Sequence, residues 1–124
     1  MSLLQTDVSN PLGTKIAKES TAKASVVNQI DTTAGTIYQI EINNSGKVTV
    51  FLKLWQGTGT VPTVGTDAPD HIFRCLSGKS VNISLPGGMA YTTALWAAVV
   101  EGTGGTAGTT DPSGVVTYSI RYTT

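Results

Sequence analysis

Charged side chains are scarce in this chain of 124 residues, and neither sign is in excess. Only 13% of the residues are Asp, Glu, Lys or Arg, about half of the ~25% found in a typical soluble domain. The eight basic side chains balance the eight acidic ones, so no net field attracts nucleic acid or an anionic membrane, and we expect neither as a partner. A surface so poor in charge favours association, which predicts a protein that other proteins cover.

Cysteine and long apolar runs are also lacking. Cys75 is the only cysteine, so an intrachain disulfide is excluded and no oxidising compartment is indicated. We expect this thiol to be buried and inert. No run approaches the ~20 apolar residues that span a bilayer. Residues 1–13 lack the charged and apolar regions of a signal peptide, so we expect no secretion signal.

A regular strand pattern is present near the middle of the chain. Its apolar face is formed by Val48, Val50, Leu52 and Leu54. Its mixed face is formed by Thr49, Phe51, Lys53 and Trp55. A period of two in β-branched and aromatic residues predicts a central strand that buries the apolar face. We expect the mixed face to be partly solvated or covered by another chain.

Two Thr- and Gly-rich connections follow apolar strands, at residues 57–70 and 102–114. The pattern T-x-G-T-x-x-P occurs in both, from Thr63 to Pro69 and from Thr106 to Pro112. Gly, Pro and Thr restrict or redirect the backbone, so each connection is predicted to have a fixed shape. The echo predicts similar loops at the same end of the domain, but it is too short to indicate a duplicated domain.

The rest of the chain is also predicted to form short strands. They span residues 23–30, 37–42, 71–76, 80–85, 94–101 and 115–122. Turn residues 43–46 and 77–79 predict two hairpins, each joining the strands on either side, and Pro86-Gly87-Gly88 is predicted to break the chain. About seven strands without a helix predict an all-β fold, an antiparallel β-sandwich of jelly-roll or Greek-key topology.

We divide the chain into an N-terminal arm, residues 1–22, and a β-sandwich domain, residues 23–124. The arm shows no sustained period, which favours an extended segment over a short helix. Its apolar residues cannot be buried within the arm itself. It therefore lies over its own domain or binds a partner through Leu3, Leu4, Val8, Pro11 and Leu12.

Little in the sequence indicates catalysis. Asp67, Asp70 and His71 form a cluster that could hold a metal or pair a carboxylate with an imidazole, but turn residues of this kind are usually structural. His71 is the only histidine, so Asp111 and Ser113 cannot complete a catalytic triad around a second one. Neither Gly-rich connection has the phosphate-loop pattern. We predict no catalytic residue, no metal, no cofactor and no enzymatic activity.

The aromatic residues Trp55, Tyr91 and Trp96 allow two interpretations. They could form a platform for stacking sugars, or they could pack in the core and between subunits, which we prefer. The residues predicted at an oligomer interface are Phe51, Trp55, Thr66, Trp96 and Thr109.

Several motifs follow one another in a distinctive order between residues 35 and 122. They are Y-x-I-E-I-x-N, a strand ending in KLW, TVGTDAPD, LPGGMAYTTAL, VVEGTGGTAGTTDPS and VTYSIRY. In this order the chain resembles a family of small β-sandwich virion proteins of tailed bacteriophages. The most specific residues are Asn43, Lys53, Leu54, Gly65, Thr66, Pro69, Gly108, Thr109 and Pro112.

The resemblance implies a structural role on the capsid surface of a virion, with synthesis in the bacterial host cytoplasm. The family member expected is a capsid decoration (cement) protein that forms a homo-oligomer, often a homotrimer, and binds the phage major capsid protein. A tail or fibre component is the alternative, and a hydrolase ranks behind both. A glycan-binding module at a tail or fibre tip would need Trp55, Tyr91 or Trp96 to be exposed on one face.

Overall fold

A computed structural model describes residues 15–124, which form eight β-strands. The strands are β1 (Lys15–Glu19), β2 (Asn28–Asp31), β3 (Gly35–Asn44), β4 (Val50–Trp55), β5 (His71–Cys75), β6 (Ser80–Tyr91), β7 (Leu95–Glu101) and β8 (Val116–Thr123). No helix in this part of the chain is long and apolar enough to cross a membrane.

The strands pair in nested order across two antiparallel sheets. The first sheet has the order β1-β8-β3-β6 and the second has the order β2-β7-β4-β5. First pairs with eighth, second with seventh, third with sixth and fourth with fifth. This is the pairing of one long hairpin rolled into two facing sheets, which defines a jelly roll. The predicted antiparallel β-sandwich is confirmed, and of the two predicted topologies the chain adopts the jelly roll.

The main core lies between the two sheets. Val50, Leu52 and Leu54 of β4 belong to one buried cluster with isoleucines of β3. Val48 precedes β4 and is exposed, so the buried apolar face begins at Val50 and not at Val48 as predicted. β7 is buried on both faces, as predicted, because Leu95 faces this core while its neighbour Trp96 packs on the opposite side of the sheet.

Both predicted hairpins are wrong. β3 and β4 belong to different sheets, and so do β5 and β6. The connections at residues 45–49 and 76–79 therefore carry the chain from one sheet to the other. Turn-forming residues mark where a strand ends, but they do not determine whether the next strand returns to the same sheet or to the facing one.

An irregular pairing of β3 with β6 accounts for two further differences. The register shifts between Ile37 and Gln39 against both neighbouring strands: Tyr38 is the extra residue opposite β8, whereas residues 85–88 of β6 are the extra residues opposite β3. Ile37 and Ile40 both face the core for this reason, although strict alternation predicts opposite faces. β6 continues to Tyr91 through the predicted break, because this edge strand accommodates Gly87 and Gly88 at positive φ of 80° and 84°.

Part of the predicted arm forms a strand of the domain. Lys15–Glu19 is extended, as the preferred interpretation has it, and pairs with β8 from Lys15–Tyr122 to Glu19–Tyr118. The next strand, β2, begins at Asn28, five residues later than predicted. The remaining arm contacts were predicted for Leu3, Leu4, Val8, Pro11 and Leu12, which lie outside the described residues.

Candidate interaction surfaces

The outer face of the second sheet is covered by two loops of the same chain. We call residues 56–70 the first loop and residues 102–115 the second loop. Trp55 and Trp96 are partners in the register of β4 and β7, and only 3% and 8% of their surfaces are exposed. Trp55 Nε1 donates to the Asp67 carbonyl at 3.1 Å, and Trp96 Nε1 donates to the Thr58 carbonyl at 2.8 Å. Both indoles therefore hold the first loop against the sheet.

Lys53 holds the second loop in the same way. Its side chain is fully buried, and Nζ donates to the carbonyl oxygens of Thr106 at 3.3 Å and Gly108 at 2.9 Å. Burial lowers the pKa of this ammonium, and no nearby acid offsets the effect. The mixed face of β4 was predicted to be partly solvated or covered by another chain. Thr49 and Phe51 are indeed half-buried, but Lys53 and Trp55 are covered by the chain's own loops.

The two loops leave their strands at opposite ends and meet over the sheet. Trp55, at the end of β4, pairs with Trp96 at the start of β7, so the predicted common end is wrong. The contact between the loops requires glycine at Gly65, where φ is +93° and a Cβ would clash with the Thr109 methyl group. The T-x-G-T echo thus marks two loops that fit against each other.

All five residues predicted at an oligomer interface lie on this side of the domain. Thr66 and Thr109 are exposed on the loops, whereas Trp55 and Trp96 are buried within the single chain. Phe51 is half-buried, and a Cβ on Gly104 would lie 2.6 Å from its ring. Of the five, only the two threonines are exposed to a further copy, and contact with such a copy remains a prediction.

The three aromatic residues considered for sugar stacking do not form a platform. Trp55 and Trp96 lie beneath the first loop, and Tyr91 belongs to the main core with 3% of its surface exposed. The condition for a glycan-binding face, an exposed ring among these three, is not met within the single chain.

The acidic side chains near the loops fix backbone groups. Asp67 accepts from the Thr63 amide at 2.8 Å, and Asp70 accepts from the Gln56 amide at 2.6 Å. The neighbouring His71 stacks on a phenylalanine ring instead of facing these acids. Among residues 15–124, no group of three His, Cys, Asp or Glu side chains is placed to hold a metal ion. The D-A-P-D-H segment therefore acts as a loop support.

Asp111 supports the second loop from the other side. Its Oδ1 accepts from the backbone amides of Ala24 and Ser25, both at 2.8 Å. These bonds hold the pKa of this carboxyl below its ordinary value, and the bond from the Ser25 amide has the largest effect. The second loop is thus attached to the segment before β2 as well as to Lys53.

A buried asparagine joins two connections at one end of the sandwich. The side-chain amide of Asn44 donates to the carbonyl oxygens of Val48 at 2.9 Å and of Cys75 and Leu76 at 3.3 Å each. Its Oδ1 accepts from the Gly46 amide at 3.0 Å. Only 1% of Asn44 is exposed, so one side chain fixes both crossings between the sheets. The sequence contained only a weak signal of this role, an asparagine at the end of an apolar strand.

A second polar network ties the sheets together at the opposite end. Asp31 accepts from the Tyr91 hydroxyl at 2.5 Å and from the Thr124 hydroxyl at 2.9 Å. Burial raises the pKa of Asp31, but the bonds from Tyr91, Thr124 and nearby backbone amides outweigh this effect and leave it below the ordinary 3.8. The ionised carboxylate is therefore the form that the folded chain favours.

We expect Asp31→Asn to cost about 1 kcal/mol of unfolding free energy at neutral pH, because a bond to a charged acceptor is lost. A carboxyl with a lowered folded pKa contributes stability above its unfolded pKa, and this contribution disappears as the pH falls through the folded value. The difference between wild type and variant should therefore shrink below about pH 3.8. Urea unfolding at several pH values measures it, with the exposed Glu41→Gln as control. A difference that stays constant down to pH 2 would contradict this account.

Among residues 15–124, no loop covers the outer face of the first sheet, and this face is polar. The Gln39 amide donates to Asn82 Oδ1 at 2.8 Å, and the Ser119 hydroxyl donates to Glu41 at 3.5 Å. The twist of the sheet leaves a shallow concavity of about 560 Å³ over this face. The domain thus has one sealed face and one open polar face.

Because comparison with known proteins gives no relative, a function must be inferred from these surfaces. No protein-family model and no curated protein matches the chain.

Proposed function

We propose that this chain is a structural protein of a bacteriophage particle, a capsid decoration (cement) protein that associates with further copies and binds the major capsid protein. The observation that carries this proposal is the sealed outer face of the second sheet. There, about thirty residues of loop are fixed by Trp55, Trp96 and Lys53 into a surface rich in Thr and Gly, whose charged side chains are three aspartates.

A surface of this kind suits permanent contact with other proteins. The carboxylates of Asp67, Asp70 and Asp111 already accept from backbone amides, so each keeps a hydrogen-bond partner when the face is covered. An already ordered loop also loses little conformational entropy on binding. The resemblance to phage virion proteins supports the same role, with Thr66 and Thr109 placed where a neighbour would lie.

In this proposal the N-terminal segment supplies the contact that anchors each copy to a neighbouring protein. The apolar residues of the arm gain by leaving water, and an extended segment can add its backbone to an exposed sheet edge. β1 continues directly from this segment and is itself an edge strand. The arm thus begins where the domain already presents an edge.

Deletion of residues 2–12 tests the proposal. We expect the shortened chain to keep its fold, because the two cores lie within the described residues 15–124. We also expect its binding to phage capsids that lack the protein to fall at least about tenfold, because the anchoring contact is gone. Co-sedimentation with purified capsids measures occupancy, and circular dichroism checks the fold.

A variant with serine at Leu3, Leu4, Val8 and Leu12 keeps the length of the arm and removes its apolar surface, so it should behave like the deletion. Alanine at Ser2, Gln5 and Ser9 is the matched control and should bind as the wild type does. Wild-type occupancy by the deletion variant would show that the arm anchors nothing.

A further inference from the structure

The chain passes from β5 to β6 beside a cavity of about 380 Å³ at the side of the sandwich. β5 and β6 are each the last strand of their sheet, so both present unpaired backbone groups there. Leu76, at the rim, has half of its surface exposed, and Val81 is half-buried against the core. We call this region, residues 74–85, the edge site.

The edge site carries positive charge without acids of its own. Arg74 and Lys79 both line the cavity, and among residues 15–124 no acidic residue does. Neither side chain makes a hydrogen bond or an ion pair within residues 15–124. A ligand that suits this lining combines apolar side chains with a carboxylate.

The backbone of the edge site also favours strand addition. Residues 80–85 of β6 form an alternating stretch with no charged side chain. The other edge of the same sheet, β1, carries Lys15, Lys18 and Glu19, charges of the kind that discourage pairing. β6 is thus the edge of the first sheet that is open to an added strand.

We propose that the edge site binds the N-terminal segment of a neighbouring copy of this chain. Residues 1–14 contain no Lys or Arg and one acid, Asp7, which complements Arg74 and Lys79. In an extended segment Leu4, Thr6 and Val8 share one face, and Gln5 and Asp7 share the other.

The position of β1 favours a neighbouring copy over the same chain. Lys15 lies at the opposite edge of the first sheet and is level with Tyr122 and Met89, far along β6 from the edge site. Reaching its own edge site would take the segment about 14 Å across the strands and about 20 Å along them. That path covers the polar outer face around Glu41, where Val8, Pro11 and Leu12 would find no apolar partner.

The segment is long enough to reach a neighbour. Fourteen extended residues span up to about 46–50 Å. Each copy would donate one segment and accept one, an arrangement that a reciprocal dimer or a closed ring satisfies. The inference rests on the oligomeric part of the proposed function and names the surface that receives the arm.

Photo-crosslinking of the full chain tests the inference. Position 4 would carry p-benzoylphenylalanine, in an equal mixture of unlabelled and nitrogen-15-labelled chains refolded together. We expect crosslinked peptides that join position 4 to residues 71–85, with half of the pairs carrying one labelled and one unlabelled partner. Crosslinks confined to one chain, or to other surfaces, would overturn the inference.

Charge reversal provides a second test in solution. We expect Arg74→Glu with Lys79→Glu to weaken self-association at least about tenfold, because two favourable contacts become repulsive. Adding Asp7→Lys should restore part of the association. Lys18→Glu, on the other edge of the sheet, is the matched control, and all four substitutions fall on surface side chains or on the N-terminal segment. Unchanged association in the double variant would also overturn the inference.

The two proposals fail separately. If oligomers crosslink at the edge site but do not bind capsids, the capsid role is ruled out and the edge-site proposal stands. If the protein binds capsids and its arm crosslinks only to the capsid shell, the edge-site proposal is ruled out and the capsid role stands.

Discussion

Replacing Asn44 with aspartate is expected to lower the free energy of unfolding by about 3–5 kcal/mol at neutral pH. The substitution keeps the shape of the side chain but replaces its donor with a carboxylate oxygen. That oxygen would face the carbonyls of Val48, Cys75 and Leu76, which now accept from the amide. The introduced charge would be buried with the Gly46 amide as a donor and with three carbonyl oxygens facing it, which is the physical cause of the loss.

The loss should depend on pH in a defined direction. Burial among carbonyl oxygens raises the pKa of the introduced carboxyl in the folded state. The penalty is therefore smallest below about pH 4, where the carboxyl is protonated folded and unfolded, and grows as the pH rises through the folded pKa. Urea unfolding between pH 3 and pH 7 measures this trend.

Asn43→Asp is the matched control, because Asn43 precedes the buried asparagine and is exposed. We expect it to change stability by less than about 0.5 kcal/mol. Equal effects of the two substitutions would show that Asn44 does not join the connections between the sheets.

Replacing Lys53 with alanine is expected to cost about 3 kcal/mol, because a fully buried side chain is deleted. The carbonyls of Thr106 and Gly108 lose their donor at the same time. Amide hydrogen exchange should therefore accelerate across the second loop much more than in the core strands. Denaturant unfolding and exchange mass spectrometry measure the two effects.

Lys53→Met separates packing from hydrogen bonding. Methionine fills most of the space and removes the buried charge, so we expect a loss of about 1 kcal/mol, but the same faster exchange in the second loop. Lys18→Ala is the control, because Lys18 is exposed on β1. If the methionine variant protects the loop as well as lysine does, the ammonium is not what holds it.

Local pattern predicted the strands well but their partners poorly. Alternation located β4 and β8, and the apolar run located β7, because burial of one or both faces leaves a direct mark on the sequence. The sheet to which each strand belongs leaves no such mark. The segment at residues 43–46 therefore predicted a turn correctly and a hairpin wrongly.

The sealed face shows a different limit of the sequence. Lys53 and Trp55 alternate with core residues, so the face that carries the lysine was predicted to contact solvent or a partner chain. The buried ammonium of Lys53 is explained only by the loop carbonyls to which it donates. The conformation of the loops depends on tertiary contacts, which the alternation of residues in the sequence does not show. The T-x-G-T echo was the available signal, since it marked the two segments that meet at Gly65 and Thr109.

The surfaces proposed for binding were predictable only in part. Thr66 and Thr109 were assigned to an interface from sequence and are exposed on the meeting loops. Arg74 and Lys79 were not singled out, because the edge site forms only when β5 and β6 end their sheets on the same side. Isolated cations in short strands are ordinary sequence features, and the fold brings them to one cavity.

The particle mass in solution, alone and with capsids, tests the central claim most directly. Native mass spectrometry of the purified chain should show a multiple of the 12.9 kDa protomer, three copies by the resemblance to phage virion proteins. Capsids lacking the protein should gain mass saturably when it is added. A persistent monomer with no affinity for any capsid would contradict the account.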